Sequence, residues 1–501
     1  MTFLPIVERE LRVAARRKST FVIRCAAVLT ALAVVAISSV FAVFTPRMAG
    51  KYIFTGLSYY AFLIAMLGGV FLGADCLSRE RREGSLGFLF LTDLKGYDVV
   101  LGKFIGTSLD AFYGLLAILP VLSLSLLMGG VTGEEFVRMS LALVNALFFS
   151  MAACIWISSR LVTPQRVLVA AICLLFGIFL LATLIHVAAQ HVPVAWVLPL
   201  TCLGAISPGE SFLLANNAGY FYEARAFWWS LAVSNLAGWL FLGMAAWNLP
   251  NLIEPVEGNG FWARLWTGEL FFGRFRRRSV LLDTNPILWL MDDSRWLCWM
   301  AWTLAGLGGV LMMALCRTRM ADILNIYISW PFYFLLKVLF TIQACRFFSE
   351  ARRTGAWELI RVTPLTGPVL IRGQWQAVRQ VFLWPVIVFM ASQIIAILCG
   401  NHRFPGANFL SIWMPLQVLW QIGRSITDFI AAGWVGMWLA LTIKKTEMAA
   451  GLTVLYVLVL PIFAFCVPTI AIDVVLIVIA RSKVTEHFPK PSLILGGKAG
   501  H

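Results

Sequence analysis

Long apolar runs alternate with short polar breaks along almost the whole chain, and each run extends for roughly 20 residues, the length a helix needs to cross the hydrocarbon core of a bilayer. Runs near 21–44, 53–76, 104–129, 137–158, 167–187 and 226–247 predict six spans in the first half. Runs near 296–316, 324–345, 380–399, 424–443, 447–466 and 469–480 predict six more in the second. The expected fold is therefore an all-α polytopic membrane protein of about twelve transmembrane helices. It would form two pseudo-symmetric six-span halves, with amphipathic helices at the interface. Residues 1–247 make the first half and residues 296–501 the second, with a short cytoplasmic tail. Residues 248–295, which include GRFRRRS at 273–279 and no long apolar run, read as a basic cytoplasmic linker. One stretch breaks the rhythm. Residues 188–225 are too apolar for a plain loop and too rich in Pro and Gly for a span, which predicts short re-entrant or interfacial helices on the outer side.

The breaks carry orientation. With the N-terminus inside, about 31 of the Lys and Arg residues fall in inner segments and about seven in outer ones, the positive-inside pattern. This places both termini in the cytoplasm and the protein in the cytoplasmic membrane. The net charge of +15 does not point to nucleic acid, because the basic residues sit in short loops without a platform of aromatic residues. Membrane lipids account for it. The ten cysteines show no CxxC pair and read as small apolar fillers. Cys202, Cys316, Cys399 and Cys466 fall near the outer face with no spacing that pairs them. The basic start MTFLPIVERELRVAARRKST leads into a run long enough to span and without a cleavage pattern, so the first span is expected to be retained.

A repeat joins the halves. Residues 78–108 align without a gap over 349–379, with identities at Ser78/Ser349, Arg81/Arg352, Arg82/Arg353, Gly84/Gly355, Thr92/Thr363, Leu94/Leu365, Gly96/Gly367 and Gly102/Gly373. Both copies stand between the second and third spans of their half, as a duplicated unit requires. LPIVERELR at 4–12 and NPILWLMDD at 285–293 also start the two halves alike. Leu86, Leu89 and Phe90 follow i, i+3, i+4 spacing, and Trp357 and Ile360 take the aligned places of the first two, predicting a short interfacial helix in each copy. Gly84 and Gly355 suit the turn before it, and Thr92-Asp93 and Thr363-Pro364 its end. Glu80, Glu83, Glu350 and the neighbouring arginines offer charges to a soluble partner.

These residues resemble the loop between spans two and three of type-2 ATP-binding cassette (ABC) exporter permeases. That loop has an acidic turn, Gly-Ser/Thr-Leu, a short apolar helix, a Thr-x-Leu stop, and Gly-Lys opening the next span. Glu80, Glu83, Gly84, Ser85, Leu86, Leu89, Thr92, Leu94, Gly102 and Lys103 carry the match in the first copy. Glu350, Gly355, Glu358, Leu359, Thr363, Pro364, Leu365 and Gly373 carry it in the second, which departs from the pattern with Ala356-Trp357 and with Gln374 in place of Lys. The resemblance implies an export pathway between the halves and a coupling segment in each, 78–94 and 349–365, seated on a separate ATP-binding subunit. The residues assigned to coupling are Glu80, Glu83, Gly84, Leu86, Leu89, Thr92, Glu350, Gly355, Trp357, Glu358, Thr363 and Leu365.

The chain lacks its own engine. No GxxxxGK[ST] loop occurs, and ILGGKAGH at 494–501 lacks both the first glycine and the hydroxyl. ATP and magnesium are thus expected on the partner ATPase, with no cofactor, no metal and no catalytic residue in this chain. His186 and His191 are wrongly spaced for one helical face, and with His402 they read as interfacial residues. Ionisable residues inside spans are costly and draw functional attention. They are Asp110, Lys337, Arg424, Asp428 and Asp473. Arg424 and Asp428 can pair at i, i+4. Lys337 has no acidic residue within four positions and aligns with Met66, so it is the candidate for lining the path of an unknown exported substrate, for which apolar spans favour a lipid-like, peptide or drug-like cargo. Two rivals stand beside this reading. A major-facilitator-type secondary transporter shares the six-plus-six plan but not the long loop after Gly73-Ala74-Asp75-Cys76, and a membrane assembly protein need not transport at all.

Overall fold

The computed structural model describes residues 18–42, 49–82, 84, 95–161, 163–189, 204–249, 295–315, 321–362, 367–399, 410–443, 446–463 and 469–486. These residues are helical with short turns, and no strand occurs among them. Their helices group into two compact units, with the break between residues 256 and 257 and only the piece Ile462–Cys466 grouped with the first.

The first unit contains α1 (Lys18–Ala42), α2 (Ala49–Gly73), the one-turn α3 (Ser78–Arg82), α4 (Gly96–Leu127), α5 (Gly133–Arg160), α6 (Pro164–Ala189), α7 (Pro208–Leu214) and α8 (Asn217–Asn248). The second contains α9 (Arg295–Leu315), α10 (Ala321–Arg353), α11 (Ala356–Val362), α12 (Gly367–Cys399) and α13 (Leu410–Thr442). It continues with α14, from Thr446 to Phe463 through a π turn at Leu455–Val459, and ends with α15 (Thr469–Glu486). Nine helices among the described residues are long and apolar enough to cross a membrane. The sequence predicts twelve. The other three, α1, α14 and α15, stand where the first, eleventh and twelfth spans are expected. The apolar described stretches of α1 and α14 are the shorter Arg24–Ala36 and Glu447–Val459, and α15 carries Asp473, Arg481, Lys483 and Glu486 within 18 residues.

Each unit packs its six long helices in the same order. In the first, α2 touches α1, α4, α5 and α6, and α5 touches α4, α6 and α8; in the second, α10 touches α9, α12, α13 and α14, and α13 touches α12, α14 and α15. The contact between second and fourth helices is close because small residues line it. A Cβ on Gly69 of α2 would fall 2.1 Å from Ser150 Oγ of α5, and one on Gly436 of α13 would fall 3.2 Å from Cys345 Sγ of α10. The buried Cys154 thiol donates to the Val70 carbonyl at 3.3 Å and the Cys345 thiol to that of Gly436 at 3.5 Å. Without a hydrophobic force to join helices in lipid, such backbone approach is what holds them.

Residues 188–225 are described in part, and a short helix, α7, stands where short helices are expected. Residues 190–203 lie outside the described set. Beyond them α7 is buried through Pro208, Gly209, Ser211 and Phe212, with Phe212 against Phe62 at 4.4 Å and Tyr59 at 5.1 Å. The sixth helix then starts at Asn217, about nine residues before the predicted span, and bends at Glu223. Polar side chains anchor its first turn: Arg138 donates to Asn217 Oδ1 at 2.5 Å and lies over the Tyr220 ring, and Glu135 accepts from the Asn217 amide at 3.0 Å. Farther along α8, Trp228 and Trp229 near one end and Trp247 at the other are exposed.

Candidate functional site

The two copies of the repeat begin alike. Ser78 and Ser349 are fully buried, and each hydroxyl donates four residues back along the chain, to Ala74 and Cys345. One turn later the aligned arginines reach across to the end of the fourth helix. Arg81 donates to the Arg160 carbonyl at 3.2 Å, and Arg352 donates to the Leu441 carbonyl. The last carbonyls of a helix have no partner within it, so each arginine satisfies one and ties the second helix to the fourth. The chain then turns at Gly84 (φ +69°) and Gly355 (φ +77°). A side chain at that φ meets its own backbone, and Gly355→Ala is therefore expected to cost about 1–2 kcal/mol with no clash elsewhere. Denaturant unfolding of the detergent-solubilised chain checks this.

Beyond the first turn, Glu83, Leu86, Leu89 and Thr92 lie outside the described residues, as do Thr363 and Leu365 in the second copy. What is visible there is α11. Trp357 faces inward, edge-on to Phe348 at 5.8 Å, and Ile360 is half-buried on the same side. Glu358 is exposed, and so are Leu359 at 73% and Val362 at 88%. The helix is thus held by one apolar face and shows a second, with a carboxylate beside it. Glu350, one turn before Gly355, is shared between Arg346 at 3.8 Å and Arg353 at 3.9 Å.

Glu80 is not an outward charge. It is 8% exposed and forms a salt bridge of 2.6 Å with Lys103 of α4. The aligned residues in the second copy are Ala351 and Gln374, and Gln374 donates instead to the carbonyls of Gln343 and Ala344 at 3.2 and 3.0 Å. Where the acid is gone the lysine is gone too, and an amide ties the third helix to the second. The departure at Gln374 from the permease pattern thus has a local cause. Sequence reading treated Glu80 and Lys103 separately because they lie 23 positions apart.

Four of the five intramembrane ionisable residues converge in the second unit, while Asp110 lies on α4 of the first. Lys337 of α10, expected to stand alone, forms a salt bridge with Asp428 of α13 and lies 5.7 Å from the Tyr333 ring centroid. Arg424 approaches the same carboxylate oxygen only to 4.0 Å, so the predicted i, i+4 pair is the weaker partner. Asp473 of α15, fully buried, accepts from the Thr427 hydroxyl at 2.9 Å. Four formal charges, two of each sign, therefore share the core among α10, α13 and α15. Among the described residues no group of His, Cys, Asp or Glu side chains is arranged to hold a metal ion, and His191 and His402 lie outside them.

Nine apolar helices of spanning length among the described residues, with large apolar side chains turned outward, decide the class. It is a multi-pass membrane protein. Compared with models of known protein families and with curated protein sequences, the chain matches none.

Proposed function

We propose that the chain is the permease subunit of an ABC exporter, forming the translocation pathway in a cytoplasmic membrane and taking its energy from a separate ATPase that docks on segments 78–94 and 349–365. The observation that carries this reading is the matched exit from the second helix. In both copies a buried serine, an arginine bound to the end of the fourth helix and a left-handed glycine precede the segment that resembles a coupling helix. An ATPase pushing on such a segment moves the second and fourth helices together, because the arginine joins them. Leu359, Val362 and Glu358 supply the docking face in the second copy, with an apolar contact centre and a charged rim.

Co-purification from native membranes tests the proposal. Wild type is expected to bring down an ATP-hydrolysing subunit, and Leu359→Asp with Glu358→Lys to lose it while remaining folded. Glu80 is unsuited to this test because its substitution breaks a buried pair. Wild type that carries no ATPase in any mild detergent would remove the proposal, and would favour an ion-driven carrier.

A further inference from the structure

Of the nine spanning helices among the described residues, α8 is the least covered: 28% of its most apolar stretch is buried, against 72% for its neighbour α5. Its open side is apolar and aromatic, with Trp228, Leu236, Trp239 and Leu240 exposed. Lipid alone would cover such a face. One residue on it is not suited to lipid.

Asn235 stands near the middle of the spanning stretch Gly219–Asn248 and is exposed. Its Nδ2 donates to Asn145 Oδ1 of α5 at 3.2 Å, and Asn145 in turn donates to Ser234 Oγ at 2.7 Å. These bonds leave the carbonyl oxygen of Asn235 unused, and it meets no donor among the described residues. An exposed hydroxyl in a span turns back on its own helix, as Thr303 does toward the Met300 carbonyl at 2.9 Å. An amide oxygen has no such recourse, because the backbone N–H groups around it are taken by the helix itself. A polar group that faces hydrocarbon without a partner is costly.

The surroundings of Asn235 let another helix come close. Ala232 and Trp239, three residues before it and four after, share its face, and Gly243 follows one turn on. Ala232 and Gly243 are exposed, and a Cβ added at Gly243 would meet nothing within 4 Å. Small residues beside a hydrogen-bonding one are what helices use to associate in lipid.

The occupant that fits is a second copy of this chain. Copies inserted in one membrane share an orientation, so a two-fold axis along the membrane normal sets two α8 helices side by side with Asn235 opposite Asn235. A carboxamide carries donor and acceptor together, and each therefore satisfies its own image. A charged group could not. The sixth helix of the second unit offers no such face, since α15 buries Asp473 and exposes Val474, Val475 and Val478. With one self-complementary face, association stops at two.

We propose that the α8 face around Asn235 is a homodimer interface within the membrane, joined by reciprocal hydrogen bonds between the two Asn235 side chains. This inference concerns the first unit alone and is independent of the export reading.

Energy transfer between donor- and acceptor-labelled full-length chains tests it, with the two populations reconstituted together in liposomes and the lipid-to-protein ratio raised stepwise. Wild type is expected to show transfer that falls on dilution along a monomer–dimer curve. Asn235→Leu is expected to weaken association about tenfold, through the loss of two interhelical hydrogen bonds. Because that substitution also removes the contact with Asn145, Gly243→Ile gives a second reading. Its Cβ meets nothing in its own chain yet blocks close approach, so the dimer is expected to be lost with the fold intact. Wild type that stays monomeric at every dilution would overturn the proposal and leave the face to lipid or to another element of the chain. A dimer that either folded variant leaves unchanged would overturn it also, and would place the contact elsewhere on the surface.

Discussion

Lys337→Ala is expected to destabilise the second unit by about 3–5 kcal/mol, the cost of leaving Asp428 buried without its cation. The magnitude comes from what remains rather than from what is lost: a carboxylate packed between helices, with Arg424 held off at 4.0 Å. Removing both charges should be far milder. Lys337→Met with Asp428→Leu places at 337 the residue found at the aligned Met66, and apolar pairs of similar volume often replace buried ion pairs without loss. Unfolding of the singles and the double in detergent measures this as a double-mutant cycle. A single variant as stable as wild type would mean that the pair is solvated in the membrane. The double variant also bears on the path. If it folds and supports the proposed export as wild type does, the lysine has no place in substrate movement.

The second large effect is expected at the other buried pair. Glu80→Ala should cost about 3 kcal/mol by stranding Lys103 between α3 and α4. Adding Lys103→Gln should recover most of it, because the pair then reads Ala and Gln, as Ala351 and Gln374 do in the second copy. The reference is the contact already present there, where the amide donates to two carbonyls of the preceding helix. Thermal unfolding of wild type, single and double decides it. No recovery in the double would show that the two copies hold their third helices by unrelated means.

Helix positions were legible because lipid demands an uninterrupted apolar run, and that demand is local. Most predicted runs coincide with a described helix to within several residues. Helices α12 and α13 begin thirteen and fourteen residues ahead of their predicted runs, and α8 nine ahead. Helix α8 begins among Asn216, Asn217, Glu223 and Arg225, whose polarity hides the start of a span until Glu135 and Arg138 of α5 are seen to receive its first turn. Lys337 lacked a visible partner because its carboxylate is 91 residues away, and Glu80 was read as outward because one-dimensional patterning cannot turn a short helix toward Lys103. The repeat register, by contrast, predicted Gly84 and Gly355 as turn residues, and both adopt the left-handed backbone. A turn is encoded by its own residues, whereas an ion pair between helices is encoded by two places at once.

Of the four exposed tryptophans of α8, Trp228, Trp229, Trp239 and Trp247, the first and last fix a length as well as a surface. Trp228 and Trp247 are nineteen positions apart on one helix, which separates them by about 28 Å along its axis. Indole rings settle at the boundary between headgroups and acyl chains, so these two mark out a hydrocarbon slab close to the ordinary ~30 Å. The molecule therefore carries its own gauge of bilayer thickness. In membranes of markedly longer or shorter acyl chains α8 must tilt or the lipid must deform around it, and the choice of lipid becomes a variable that sets how this protein stands before any partner or substrate arrives.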